Sequence, residues 1–515
     1  LRLVVIARTL ARHGALAPLQ SAVGGFGLAP TLILAGRVFG IGVDPRRFAE
    51  RPGQRLAVAL SELGPAFIKF GQMLSTRSDL IGEQAAADLA MLRDRLPPFP
   101  AAQARATIAA ELGRPVAELF ESFDDTPVSA ASIAQVHFAT VRAEDGGVTQ
   151  VAVKVLRPGI EQAFARDLDL MRWLAALVER AQPRLRRLRP SDVVETFAQV
   201  VRVEMDLRLE AAAAAELAEN FAGDPTYRVP AIDWNRTARR VMTQERLTGI
   251  PIDDRDALIA AGHDIDSILT RAAAIFFNQV FRDGYFHGDQ HPGNMFVHES
   301  GAIMAVDFGI MGRLDRATRF YLADMLLAFL ERDYRRVAEV HFAAGYVPAA
   351  QSLDDFALAC RSIGAPIFGR PLAEISFARV LGQLFSIAET FDMEVQPQLL
   401  LLQKNMLMAE GVSRHLNPGL NIWALSQPLV EDWMRENRGP EARLRDKLTE
   451  FARALDRLPS LVLNAEKAAV RIAEERTRAA RKGERRFAGE RILGLSPWQF
   501  WALLAALVLV LVFSL

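Results

Sequence analysis

The chain has almost no cysteine. Cys360 stands alone among 515 residues, so no intrachain disulfide can form, which fits a reducing cytoplasm. Excess charge of either sign is missing too. Lys plus Arg and Asp plus Glu each number 61, so no global basic signature points to nucleic acid, and no such partner is expected. There is no Cys/His cluster of the kind that binds zinc. His287 and His291 lie four apart but lack the H-E-x-x-H context, and His287 reads as a scaffolding residue. No repeat and no clear signal peptide are legible. Residues 28–41 are apolar but short, and Pro30 and Arg37 interrupt them. They read as a packed or interfacial helix, not a span.

What is present is a segment, His287-Gly288-Asp289-Gln290-His291-Pro292-Gly293-Asn294, followed by Val306-Asp307-Phe308-Gly309. An Asp with an Asn five residues on has the spacing of a kinase catalytic loop. The later Asp-Phe-Gly, after an apolar run, has that of its metal-binding motif. Phosphoryl transfer needs a carboxylate facing the acceptor and oxygen ligands holding Mg²⁺ on the phosphates. Asp289 is the candidate for the first role, Asn294 and Asp307 for the second. Alone, the loop could equally be a turn built by Gly288, Pro292 and Gly293. The two motifs in order argue for the kinase reading.

Upstream, Gln150-Val151-Ala152-Val153-Lys154-Val155-Leu156 alternates like a strand and matches a Val-Ala-Ile-Lys element. Residues 135–156 read as a hairpin that carries Lys154 towards nucleotide phosphates. The G-x-G-x-x-G of ordinary kinases is missing. In its place stand Ser129, Ala130, Ala131, Ser132, Ile133 and Ala134. Small residues let backbone amides approach phosphates, but their Cβ atoms remove the positive-φ option of glycine.

These residues resemble those of the UbiB family of atypical kinases, which is linked to ubiquinone biosynthesis. The resemblance is carried by Lys69-Phe70-Gly71-Gln72 (the family's K-x-G-Q), the alanine-rich loop at 129–134 and Lys154. It continues through Glu204-Met205-Asp206 (its E-x-D), Glu210, the 287–294 loop and Asp307-Phe308-Gly309. It runs from about residue 55 to 450 in family order. It implies a bilobal, mostly helical α+β protein-kinase-like fold, with an N-terminal extension lying over the active site. It also implies ATP and Mg²⁺ as cofactors, and kinase or ATPase activity needed for ubiquinone. Two details depart from the common pattern. Gly288-Asp289-Gln290 stands where Ala-Asp-Pro is frequent. The interlobe stretch from Met242 to Leu247, where Glu245 is the candidate for adenine-side contact, is less apolar than usual.

Residues 61–72 read as a helix entry with Pro65 in its first turn. Leu63, Phe67, Phe70 and Leu74 form its apolar stripe. Lys69 and Gln72 share a face, and by resemblance Glu204 and Asp206 are their partners in a cover over the site. The resemblance makes Glu210 the first candidate, and Glu204 the second, for the glutamate that pairs with Lys154; Glu210 lies on a helical stretch expected over 191–221. The helical insert at 160–187 explains the long separation. Helices are expected at 101–112, 265–282 and 315–344. No Ala-Pro-Glu follows the Asp-Phe-Gly, so an activation-loop switch is not expected.

At the C-terminus, residues 498–515 are apolar and uncharged, opening on Trp498 and Trp501, and are barely long enough to span a bilayer; a hairpin-like anchor or a helix packed against a partner's membrane helix are the alternatives. Arg478, Arg481, Lys482, Arg485, Arg486 and Arg491 precede them, which places the kinase-like part on the cytoplasmic side of a bacterial inner membrane. The expected organisation is an N-terminal helical segment (1–55), a K-x-G-Q extension (56–125) and an N-lobe with helical insert (126–245). A C-lobe (246–450), an amphipathic basic helix (451–491) and a transmembrane anchor (492–515) follow. The chain thus reads as a membrane-anchored atypical kinase or ATPase, with membrane lipids, prenylated quinone precursors and other ubiquinone-biosynthesis proteins as partners. Homo-oligomer formation is left open. A small-molecule kinase of the aminoglycoside or choline type is the second reading, and a nucleotide-binding scaffold of a quinone-biosynthesis complex the third.

Overall fold

Period-two alternation builds the first sheet. In the computed structural model its strands are β1 (Ser122–Phe123), β2 (Ser129–Ala130), β3 (Ala134–Arg142) and β4 (Val148–Leu156). After a strand of another sheet, β5 (Tyr227–Arg228), comes β6 (Val241–Glu245). The order is β1-β3-β4-β6, all antiparallel, with β2 also paired to β3. The hairpin expected at 135–156 is therefore present. Val151, Val153 and Val155 face one way, onto Ile108 of helix Ala101–Leu112, Val116 and Leu119. The alternation sends Lys154 and Leu156 to the other face. The break Pro97-Pro98-Phe99-Pro100 is tied to β3 by buried Gln135, which accepts from the Phe99 amide (3.0 Å) and contacts His137 Nε2 (2.8 Å).

The structure describes residues 2–15, 51–75, 81–89, 92, 96–142, 146–181, 189–366, 383, 387–388, 390–393, 396–419 and 422–438. The stretch 28–41, the basic helix at 451–491 and the anchor at 492–515 lie outside these residues. Packing divides the chain into Leu1–Val430 and Glu431–Leu515. The elements described here belong to the first unit; of the second, residues 431–438 are described and are helical.

The K-x-G-Q segment forms two helices, Pro52–Leu63 and Pro65–Ser75, interrupted at Gly64 (φ 102°). Leu63 and Phe67 are buried, and Phe70 and Leu74 pack against the same cluster. That cluster includes Phe164 of helix Ile160–Ala181 and Phe197 of helix Pro190–Glu204. The rings of Phe70 and Phe197 meet edge-on at 5.2 Å. The apolar stripe thus lies on the helical insert and the helix after it.

Three expected helices are subdivided. Residues 191–221 form Pro190–Glu204 and Leu207–Asn220, because Asp206 leaves the helical conformation to cap the second helix through the Arg208 amide. Residues 315–344 split into Arg316–Leu330 and Tyr334–Ala343, with Arg332 at φ 64° and Asp333 as the second cap. Residues 265–282 run as α-helix from Ile265 to Phe277, then widen into a π turn, Asn278–Asp283.

The larger lobe contains β7 (Ile250–Pro251), β8 (Tyr285–His287), β9 (Met295–Val297), β10 (Ile303–Ala305) and β11 (Met311–Arg313). One sheet runs β5-β10-β9-β7, and β8 pairs with β11. Its core unites Leu217, Tyr227, Ile268, Val297, Phe308 and Leu416. Leu416 ends the helix Pro397–Leu416. Arg255 Nε donates to its carbonyl at 3.0 Å, and Asn417 Nδ2 to Asp266 at 2.7 Å. This helix is therefore fixed at its C-terminal end on the lobe.

Phe197→Ala should lower the unfolding free energy by about 3–5 kcal/mol, whereas half-exposed Val203→Ala on the same helix should change it by about 0.5 kcal/mol or less. Denaturant unfolding followed by circular dichroism checks both; equal effects would contradict the packing described.

Candidate active site

Strand β4 presents Lys154, helix Leu207–Asn220 presents Glu210, and the turn after β10 presents Asp307. Lys154 Nζ donates to Glu210 Oε1 at 2.6 Å and to Asp307 Oδ1 at 3.2 Å. One ammonium thus joins carboxylates 97 positions apart (307 minus 210). Burial alone would depress the pKa of Lys154, but Asp307 and Glu210 outweigh it, and the net shift is upward. Burial pushes the Glu210 carboxyl up to about 7, against the pull of Lys154. Asp307 is held well below the usual carboxylate range, first by Lys154 and also by Lys69. Its backbone is left-handed (φ 66°), a conformation Asp tolerates better than most residues. Phe308 is buried edge-on against His287, with ring centroids 5.5 Å apart.

The 287–294 loop is held from below. His287 is buried, and its Nδ1 accepts from the Asp289 amide at 3.0 Å, which places the ring proton on Nε2. Burial lowers the pKa of His287. Gly288 donates to Ile310 O at 2.8 Å; a Cβ there would meet Ile310 Cγ2 at 2.8 Å. Asn294 Nδ2 donates to Asp289 O at 3.2 Å, which leaves the Asn294 carbonyl oxygen as a ligand. With the ionised carboxylate of Asp307, this gives two hard oxygen donors, a set that fits Mg²⁺ held jointly by substrate phosphates. Among the described residues no cluster of three His, Cys, Asp or Glu is poised for a metal, and a phosphate-bridged ion does not need one.

The cover residues separate. Lys69 Nζ lies 3.2 Å from Glu204 Oε2, with both side chains largely buried. Gln72 Nε2 reaches Leu92 O at 3.5 Å. Asp206 is not placed as a partner for either: Arg208 takes its carboxylate through Nε (2.9 Å) and Nη2 (2.6 Å), and its cap uses the Arg208 amide. The Glu245 carboxylate is engaged by Arg228 and the Ala231 amide. Its side chain is thus committed within the protein, and its amide is spent on Ala231 O at 2.8 Å.

The alanine-rich loop is a closed turn. Ala131 N donates to Ala134 O at 2.8 Å, and Arg157 grips Ala131 O through Nε (2.9 Å) and Nη2 (2.8 Å). Ser132, Ile133 and Ala134 are buried, while Ala130 and Ala131 are half-buried. The Ala131 amide is spent on the turn and is not offered to a phosphate.

Three residues not singled out in the sequence also shape the loop. Buried Gln279, turned inward by the π turn, accepts from the His287 amide at 3.0 Å and from Gln290 Nε2 at 3.3 Å. Lys404 Nζ lies 2.8 Å from Asp289 Oδ1. Asn405 accepts from Gln290 N at 3.2 Å and donates to His287 O. The one signal for the last two is their polarity within an apolar helical run, Leu399 to Met408.

A model of the ABC1 atypical kinase-like domain matches residues 91–341, and one of the UbiB helical domain matches residues 360–421. Proteins described as probable protein kinase UbiB are similar across most of their length. That of Marinobacter nauticus is 46% identical over 420 residues, covering 80% of this chain and 76% of the relative. That of Aeromonas salmonicida is 46% identical over 417 residues, with the same coverage. The chain belongs to the UbiB family. It is accordingly an atypical enzyme of the kinase or ATPase type. Among solved structures, the Rv3197–erythromycin complex from Mycobacterium tuberculosis has a similar fold, with a TM-score of 0.51 and 26% identity. The match covers 70% of this chain and 90% of that one. In family terms, Lys404 and Asn405 belong to the helical domain, not the kinase-like domain.

Because its folded-state value is raised, Glu210 takes up a proton as pH falls through about 7, and its grip on Lys154 loosens. Asp307, depressed, stays ionised. Nucleotide turnover should therefore show an acid limb centred near 7; a pH–rate profile that is flat through that value would contradict it. The sign for stability is opposite. The proton on Glu210 favours the fold below its ordinary value, and that contribution is lost as pH rises through about 7.

Proposed function

We propose that the chain binds Mg-ATP at this site and acts as a membrane-associated kinase or ATPase supporting ubiquinone biosynthesis. The observation that carries the reading is the Lys154–Glu210–Asp307 cluster opposite Asp289 and Asn294. Lys154 would bind nucleotide phosphate, with Glu210 fixing its direction, and Asn294 and Asp307 would hold Mg²⁺. A divalent ion bound there would neutralise charge on the phosphates. Asp289 would orient the attacking water or accept the proton of an acceptor hydroxyl. Lys69, paired with Glu204 and acting on Asp307, would cover the site, which would favour small or lipid-borne acceptors over folded proteins.

The apolar C-terminal run and the basic residues before it support attachment to the inner membrane, with the kinase-like part in the cytoplasm. Prenylated quinone precursors and other ubiquinone-biosynthesis proteins are then the natural partners. The erythromycin complex of the mycobacterial neighbour favours a second reading, in which the cleft serves a small soluble molecule.

Phosphate release from ATP by the full chain tests both. Turnover should require Mg²⁺ and rise with anionic vesicles carrying a prenylated phenol. Asp307→Asn should abolish Mg²⁺-dependent nucleotide binding; retention of that binding would remove the role given to Asp307. Expression in bacteria lacking their own UbiB should restore extractable ubiquinone, and Asp289→Asn should not. Failure of the unmodified chain to restore it would count against the pathway.

A further inference from the structure

We infer that Lys404, supplied by the helical domain, is the positioning residue that holds Asp289 for phosphoryl transfer. The inference rests on the reading of Asp289 above. The site gathers carboxylates at Glu210, Asp289 and Asp307, and phosphates would add more negative charge. Residues 288–294 supply no lysine or arginine. Lys154 is already shared by Glu210 and Asp307, and Lys69 is engaged by Glu204. The ammonium against Asp289 comes from 115 residues downstream, at 2.8 Å.

The attachment is built. Asn405, next to Lys404, takes the Gln290 amide and donates to the His287 carbonyl. Two adjacent helical residues thus hold the loop on both sides of Asp289 and at its carboxylate. The helix that carries them is fixed at its C-terminal end by buried Leu416, the Arg255 bond to its carbonyl and the Asn417–Asp266 bond. Lys404 and Asp289 are each about one-third exposed, at 32% and 31%. A pair as open as this adds little to folding stability. Its consequence lies in where it aims Asp289. When water oxygen bonds to the γ-phosphorus and the bond to the β-bridging oxygen breaks, ADP leaves. Asp289, held by one oxygen on Lys404, keeps the other for the water and its proton.

The test uses the full chain with Mg²⁺ and ATP, comparing the unmodified protein, Lys404→Ala, Lys404→Arg and Asp289→Asn. Lys404→Ala should lose about 10²-fold in kcat, with KM and the affinity for a fluorescent ATP analogue within about twofold. Its melting temperature should be unchanged. Lys404→Arg should recover part of the loss, and ethylamine added to Lys404→Ala should recover part of it too, which a merely structural defect would not allow. Unchanged or increased kcat in Lys404→Ala, beside an inactive Asp289→Asn, would overturn the inference and leave the proposed function standing. A loss seen only in KM, or one that comes with a lowered melting temperature and no recovery by arginine or amine, would also overturn it. An unmodified chain that turns over no ATP would remove both.

Discussion

The sharing of one ammonium, that of Lys154, between two carboxylates is the interaction on which the rest of the site depends. Glu210 lies 2.6 Å from it and Asp307 3.2 Å. Without the cation the buried Glu210 and the half-exposed Asp307 would face each other as like charges. With it, a strand, a helix and the turn that follows β10 meet at one atom. The alternation of β4 sends Lys154 towards the cleft because Val153 and Val155 are needed on the opposite face. Packing of the valines thus determines where the charge points.

Much of this arrangement was legible in the sequence because its determinants are local. The β3–β4 hairpin follows from alternation, the helix at 101–112 from its flanking breaks, and the loop and Asp-Phe-Gly from their spacing. Interruptions were less legible. One long stretch became two helices because Asp206 is a better cap than helix interior, and the π turn at Asn278–Asp283 leaves no clear signature in hydrophobic periodicity. Nor was it legible that Arg208, two residues away, engages the Asp206 carboxylate. Contacts made across more than a hundred residues, such as Lys404 with Asp289, have no local pattern that would announce them.

The helical domain is more than an appendage to the kinase-like lobes. Its helix Pro397–Leu416 buries Leu416 in the larger lobe's core and holds the loop with Asn405 near its middle. A rigid strut of this kind links the geometry of the loop to a segment that ordinary kinase motifs do not include. The N-terminal helices act from the other side, where Phe67 and Phe70 pack with Phe164 and Phe197 and bring Lys69 within electrostatic reach of Asp307.

Phe308 is seated in the larger lobe's core, against His287, and the backbone beside it is tied to Gly288 through Ile310. A ligand that displaces this phenylalanine would have to empty its socket. Emptying such a socket costs about 3–5 kcal/mol by analogy with truncation of a buried phenylalanine. That corresponds to a loss of roughly two to four powers of ten in affinity. Ligands for this chain are therefore better designed for the cleft with Phe308 seated, where Lys154 bonded to Asp307 presents the charge to be matched.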